Sequence, residues 1–228
     1  HHTCAPSEVE HLHALPDSTC GIGHTRWATH GEVSLLNAHP HHSCDNSVFL
    51  VHNGVIENSD EIKQWLETEN CKFYSETDTE TLVNLIAFHY NNSPEKNPLY
   101  AINAALKNVE GTYGLAIVFK AHPSVIFAVR RSSPLLLGLR KGEKHISSDI
   151  NSLPQDVDKV VYLEDGDVAR LEAGDFKIYD SNNNEFDDRR TAIKVKIPKL
   201  KNERGGFSTC PEKEIYEQPD SIRETTRG

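Results

Sequence analysis

After Gly111 the hydrophobic pattern of this chain changes period, and that switch restricts the fold more than any other feature. Before it, three stretches carry apolar residues at helical spacing. Asn58-Ser59-Asp60-Glu61 reads as a capping box opening a helix with Ile62, Trp65 and Leu66 on one face. Thr77-Asp78-Thr79-Glu80 reads as a second, followed by Leu82, Leu85, Ile86 and His89, with Asp78 placed in the first helical turn, where the macrodipole favours a carboxylate. Pro98 opens a third helix carrying Ile102, Ala105, Leu106 and Val109. Beyond Gly111 the apolar runs shorten to strands at Tyr113–Phe119, Val125–Val129, Leu135–Leu137, Lys144–Ser147, Val160–Leu163, Val168–Leu171 and Phe176–Tyr179. Asp165-Gly166 and Ala173-Gly174-Asp175 read as hairpin turns between the last three. Earlier, Val48-Phe49-Leu50-Val51 predicts a buried strand that delivers His52-Asn53-Gly54 as a loop, and Cys20–His24 predicts a short strand. A helical layer followed by mostly antiparallel strands makes the chain α+β, with sheets packed between helices.

The bulk numbers agree with a globular chain. At 228 residues there is room for a full core, in one large domain or one and a half. No apolar run approaches the roughly 20 residues needed to span a bilayer. A formal charge of −10 with no basic stripe argues against nucleic acid as a partner, and Lys194, Lys196, Lys199 and Lys201 read as a solvated strand and loop. The five cysteines are odd in number, scattered and without a C-x-x-C, so they read as free thiols in a reducing, cytoplasmic setting. Residues 1–19 are polar and aperiodic and stand apart as an atypical N-terminal segment. Residues 20–200 form the expected domain, and 201–228 a linker followed by a helix around Lys213–Gln218. The absence of methionine favours a piece of something longer.

Three short motifs carry chemistry. His24-Thr25-Arg26-Trp27-Ala28-Thr29-His30-Gly31 offers a guanidinium, which either stacks on the neighbouring Trp27 or clamps a carboxylate through its planar fork. Asn53-Gly54 is either a turn or a carboxamide and backbone N–H presented to an oxyanion. Asp78 either caps its helix or faces a ligand. Together they supply what is needed to hold a free amino acid by both charges. The 13 histidines, His39-Pro40-His41-His42 in particular, raise a metal reading. They lack ligands at zinc-finger or H-E-x-x-H spacing, so a hydrogen-bonded loop is expected, with no metal and no cofactor. Ser132-Ser133-Pro134 lacks the G-x-S-x-G elbow of a serine hydrolase.

The order HTRWATHGE, NAHPH, VHNGVIEN and SETDTE resembles the glutaminase domain of the glutamine–fructose-6-phosphate aminotransferases, the glucosamine-6-phosphate synthases. Ser133-Pro134-Leu135, Ser147-Ser148-Asp149, Leu163–Asp167 and Lys213–Pro219 extend the resemblance from Cys20 to the C-terminus. It implies a four-layer αββα N-terminal-nucleophile hydrolase fold, here without its first strands and helix. It implies hydrolysis of L-glutamine, with the ammonia passed to fructose 6-phosphate by an isomerase half in a homo-oligomeric parent enzyme. By the same resemblance Arg26 binds the glutamine α-carboxylate and Asp78 its α-ammonium. Asn53 and Gly54 form the oxyanion hole, Trp27, Thr29 and His30 line the pocket, and His39 supports it.

Members of that family begin with a Cys whose thiol attacks the amide and whose α-amine is the base. His1 stands first here. Cys20-Gly21-Ile22 imitates such a start, but a residue six positions from Arg26 on the same strand cannot also present a terminal amine to the substrate. The chain is therefore expected to keep the binding and oxyanion residues, lack the nucleophile, and be inactive alone. The alternatives are a catalytically dead glutamine-binding homologue or another class II amidotransferase. Arg131-Ser132-Ser133 stands where the family has Gly before Ser-Pro, and Pro211 where it has Met.

Overall fold

The computed structural model describes residues 19–25, 32, 34–186, 190–197 and 206–225. The chain divides into two compact units, His1–Ile197 and Pro198–Gly228.

The first unit is built on two antiparallel sheets. Its strands are β1 (His41–His42), β2 (Val48–Ile56), β3 (Gly111–Phe119), β4 (Ile126–Arg131), β5 (Leu136–Arg140), β6 (Glu143–Ser147), β7 (Lys159–Tyr162), β8 (Val168–Leu171), β9 (Phe176–Tyr179) and β10 (Ile193–Lys194). Six strands run in the order β1-β2-β3-β4-β8-β9, and four in the order β10-β7-β5-β6. The helices are α1 (Ser59–Thr68), α2 (Asp78–Asn92) and α3 (Pro98–Leu106). Among the described residues the layers are helices, six-stranded sheet and four-stranded sheet.

Burial follows from alternation. Val48 and Leu50 of β2, Leu115, Ile117 and Phe119 of β3, and Phe127 and Val129 of β4 face the helices. There they meet Leu66 of α1, Leu82, Val83 and Ile86 of α2, and Ile102 and Ala105 of α3. The opposite face of the same sheet, through Ala128, Ala169, Leu171 and Ile178, packs on Leu137, Val161 and Leu163 of the second sheet or its edge. Each fully buried Leu or Ile contributes about 1.5–3 kcal/mol, so the helix-facing cluster dominates stability. Helix α2 is buried along most of its length, from Thr79 to Ala87, because it lies between α1, α3 and β2.

The structure differs from the sequence expectations at several points. Strand β2 does not stop at Val51: it runs to Ile56, with Asn53 opposite Gly114 and Gly54 opposite Tyr113. His52-Asn53-Gly54 is thus strand, not loop, because β3 supplies a continuous partner. The Asn58 capping box does not form. Asn58 instead spends its side chain on β3's entry, donating to Asn108 O at 2.8 Å and accepting from Glu110 N–H at 3.0 Å. Trp65 is 41% exposed, although its ring meets Phe88 edge-on at 4.8 Å. Asp165-Gly166 does not close a hairpin, since β7 and β8 belong to different sheets; Ala173-Gly174-Asp175 does, between β8 and β9. Residues 20–24 pair in no sheet. The second unit contains α4 (Cys210–Thr225), longer than expected and running through Pro219.

Candidate active site

The end of β2 and the start of α2 meet at one wall of a cavity of about 890 Å³. Its lining includes Gly21–Thr25, His39, Val51–Gly54, Thr77–Thr79, Gly114 and Lys144–Asp149. Both sheets contribute to the lining.

Helix α2 begins as its sequence requires. Thr77, extended at φ −95°, accepts from Glu80 N–H at 3.2 Å and is the N-cap. The Glu80 carboxylate does not reach back to Thr77, as a capping box would have it. It accepts from Tyr74 N–H at 2.9 Å, Ser75 N–H at 2.6 Å and Ser75 Oγ at 2.7 Å, tying the preceding loop to the helix. Asp78 follows at the first helical position. Its Oδ2 accepts from the backbone N–H of Ile56 at 2.7 Å, and its side chain keeps 12% exposure.

Asn53 is exposed at the cavity, and its carboxamide takes no hydrogen bond from the described residues. Gly54 has φ +146°, and a Cβ there would lie 2.0 Å from Thr112 O. Only glycine allows β3 to come this close. Ile56 N–H turns away from β3 toward Asp78. With the two-residue strand repeat, the N–H of Gly54 is on that same edge, beyond the point where β1 pairs.

Behind this wall lies a polar network that the sequence did not single out. His52 is 3% exposed. Its Nε2 is 3.3 Å from the Thr112 carbonyl, which only accepts, so Nε2 carries the proton. Nδ1 then accepts from Thr79 Oγ1 at 3.2 Å, and His39 Nε2 donates to that hydroxyl at 3.0 Å. Burial pushes the His52 pKa down, and the Asp78 carboxylate 3.9 Å away and the Thr112 carbonyl only partly offset it. The imidazole is a neutral strut. Its position in His52-Asn53-Gly54 was the available signal, because Leu50, His52 and Gly54 alternate to one face. The wall formed by Lys144–Asp149 comes from the other sheet, and nothing local in its sequence ties it to β2 and α2.

The remaining predicted residues divide. Asn53, Gly54, Asp78 and His39 converge on the cavity. Arg26, Trp27, Thr29 and His30 lie outside the described residues. Their neighbours in the chain are placed: Thr25 lines the cavity, and Glu32 donates its N–H to Glu76 Oε2 at 3.2 Å. Buried Asn37 strengthens that second anchor, donating to Glu76 Oε2 at 3.1 Å and accepting from Glu76 N–H at 3.0 Å. Among the described residues no three His, Cys, Asp or Glu side chains are grouped to hold a metal ion. His24, His39 and His41 instead meet edge to face, at 4.5 and 5.0 Å.

A glutamine amidotransferase domain profile matches residues 24–155, which contain every element of this wall. The chain belongs to the glutamine amidotransferase family. Relatives of this amidotransferase domain include the glutamine–fructose-6-phosphate aminotransferase (isomerizing) of Bacteroides thetaiotaomicron, 42% identical over 225 residues, or 97% of this chain and 36% of that protein. The enzyme of the same name from Thermotoga maritima is 40% identical over 202 residues, 89% of this chain and 32% of that protein. The amidotransferase domain thus spans about a third of the length of these relatives. Among solved structures, the glutamine phosphoribosylpyrophosphate amidotransferase of B. subtilis superposes with a TM-score of 0.56 at 23% identity, over 71% of this chain and 35% of that one. That likeness supports the fold: mixed α and β with antiparallel sheets. No helix among the described residues is long and apolar enough to cross a membrane.

Proposed function

We propose that the cavity holds L-glutamine, and that the chain is the glutaminase part of an enzyme that passes the released ammonia to fructose 6-phosphate. The observation that carries this reading is the bond from Ile56 N–H to Asp78 Oδ2. It fixes a carboxylate suited to an α-ammonium at a set distance from Asn53 and Gly54, which suit the oxyanion of an attacked side-chain amide. Arg26 takes the α-carboxylate, one residue beyond the lining Thr25. Trp27, Thr29 and His30 line the pocket, and His39 supports it through Thr79. In the reaction a thiolate adds to the amide carbonyl, Asn53 Nδ2 and Gly54 N–H stabilise the oxyanion, ammonia leaves, and water releases glutamate from the thioester.

Cys20, Cys44 and Cys71 do not line the cavity. Cys20 donates to Pro123 O at 2.9 Å, and its thiol is pushed up by burial. On this reading none of these three thiols is the nucleophile, and the described residues bind glutamine without cleaving it. The finer fold we infer is the four-layer αββα N-terminal-nucleophile arrangement, of which helix, sheet and sheet are described. Residues 20–200 are the amidotransferase domain and 201–228 the lead into an isomerase half, in a cytoplasmic homo-oligomer. The names of the curated relatives favour amino-sugar formation over another class II amidotransferase. Calorimetric titration of L-glutamine into the chain tests the reading. Saturable heat, reduced in Asp78→Asn, supports it, and no heat in the wild type overturns it.

A further inference from the structure

The Cys44 and Cys71 sulfurs lie 3.0 Å apart, in contact, although 27 positions separate them in sequence. We propose that Cys44 and Cys71 form a dithiol modification site, which closes to a disulfide by exchange with a low-molecular-weight disulfide. This inference is independent of the glutamine reading.

Both backbones are held in place. Cys44 sits in the turn between β1 and β2, where its N–H donates to Oδ1 of buried Asn84 on α2 at 2.8 Å. The turn itself is closed by Asp45, which accepts from Ser47 N–H at 3.1 Å and Ser47 Oγ at 2.8 Å. Cys71 follows the C-terminus of α1. Asn70, at φ +64°, turns the chain, and Cys71 N–H returns to Leu66 O at 3.0 Å while Asn70 N–H returns to Glu67 O at 3.1 Å. This is a Schellman motif, which fixes where Cys71 emerges. With both attachments set, forming the bond needs the sulfurs to approach by only about 1 Å, to a disulfide's ~2.05 Å.

The two thiols are unequal. Cys44 is exposed and meets the oxidant first. Cys71 is partly buried against the main core, and its thiol is pushed up to about 12, by burial first and then by Cys44. The Cys44 thiolate attacks one sulfur of glutathione disulfide, forming a mixed disulfide and releasing one glutathione thiolate. Cys71 then loses its proton to solvent and attacks Cys44 Sγ, releasing the second glutathione. Two protein thiols are oxidised, one disulfide is reduced, and the two protons end on glutathione. Loss of proton from Cys71 makes the second step slow.

The closed loop would enclose β2 and α1, and so the segment bearing His52, Asn53 and Gly54. A cross-link over this length should raise the Tm by about 5–10 °C. The test equilibrates the full chain in glutathione buffers of stepped redox ratio, traps it with iodoacetamide and maps the peptides. A Cys44–Cys71 cross-linked peptide is expected, intact in Cys20→Ser, absent in Cys44→Ser and in Cys71→Ser, with the oxidised chain melting higher. Glutathione retained on Cys44 without a cross-link, or cross-links that pair Cys44 with another cysteine, would overturn the proposal. Because Cys44 is exposed, its serine variant keeps the test valid even where Cys71→Ser fails to fold.

Discussion

Ile56 N–H donates to Asp78 Oδ2 at 2.7 Å, joining the last residue of β2 to the first of α2. This one bond makes the proposed oxyanion edge and the proposed ammonium site a single rigid wall. Replacing Asp78 by Asn leaves a carbonyl oxygen to accept from Ile56 but removes the charge. Stability should change by no more than about 1 kcal/mol, while glutamine affinity falls roughly 10- to 100-fold, the 1.5–3 kcal/mol of a charge-assisted bond. Chemical denaturation and calorimetry on the same variant separate the two effects. A variant that binds glutamine as well as wild type removes Asp78 from the site.

Gly54→Ala places a methyl group 2.0 Å from Thr112 O and forces a side chain into φ +146°. The β2–β3 pairing must open or the variant must lose on the order of 2–4 kcal/mol. A denaturation midpoint unchanged by the substitution would contradict so close an approach of the two strands.

Thr77→Ala deletes the N-cap of α2, and with it the hydroxyl 3.0 Å from His41 Nε2. The expected cost is about 1 kcal/mol for the cap, read as a Tm lowered by roughly 2–4 °C. Thr77→Ser, which keeps the oxygen, should recover most of that loss.

Acid should weaken the fold before most carboxylates titrate. Burial lowers the pKa of His52, and of His89 likewise, so both are neutral in the native chain. The unfolded chain binds protons at an ordinary histidine pKa near ~6.5, where the native chain refuses them. Their contribution is fully present above that value, declines as pH falls through it, and levels off below the native pKa. Melting curves from about pH 7.5 to about pH 5 should show Tm falling, with a shallower slope in His89→Gln. A Tm that rises over this interval contradicts the assignment.

What was legible in the sequence was what local pattern controls. The α1, α2 and α3 spans follow from apolar spacing and from Pro98 and Thr77, whose chemistry acts within one turn. Strands β8 and β9 match residue for residue, because a short turn pairs them. The misreadings have tertiary causes. Asn53-Gly54 is a common turn dipeptide, and only the presence of β3 alongside keeps it extended. Asn58 is a good cap by composition, and only Asn108 and Glu110 divert it. Asp165-Gly166 looks like a hairpin turn because nothing local records that its strands join different sheets. Ser132 holds φ +60°, with its N–H on Asp165 Oδ1 at 2.8 Å.

In the proposed function one wall, from Gly54 to Asp78, reads both the amino group and the amide of glutamine. The most direct measurement follows the backbone amide resonances of Gly54 and Asp78 during titration with L-glutamine and, separately, with glutaramate, which lacks only the α-amine. Saturable shifts at both amides are expected with L-glutamine, and much weaker binding of glutaramate in the wild type, with that preference lost in Asp78→Asn. Equal binding of the two compounds, or glutamine shifts that bypass Gly54 and Asp78, would contradict it.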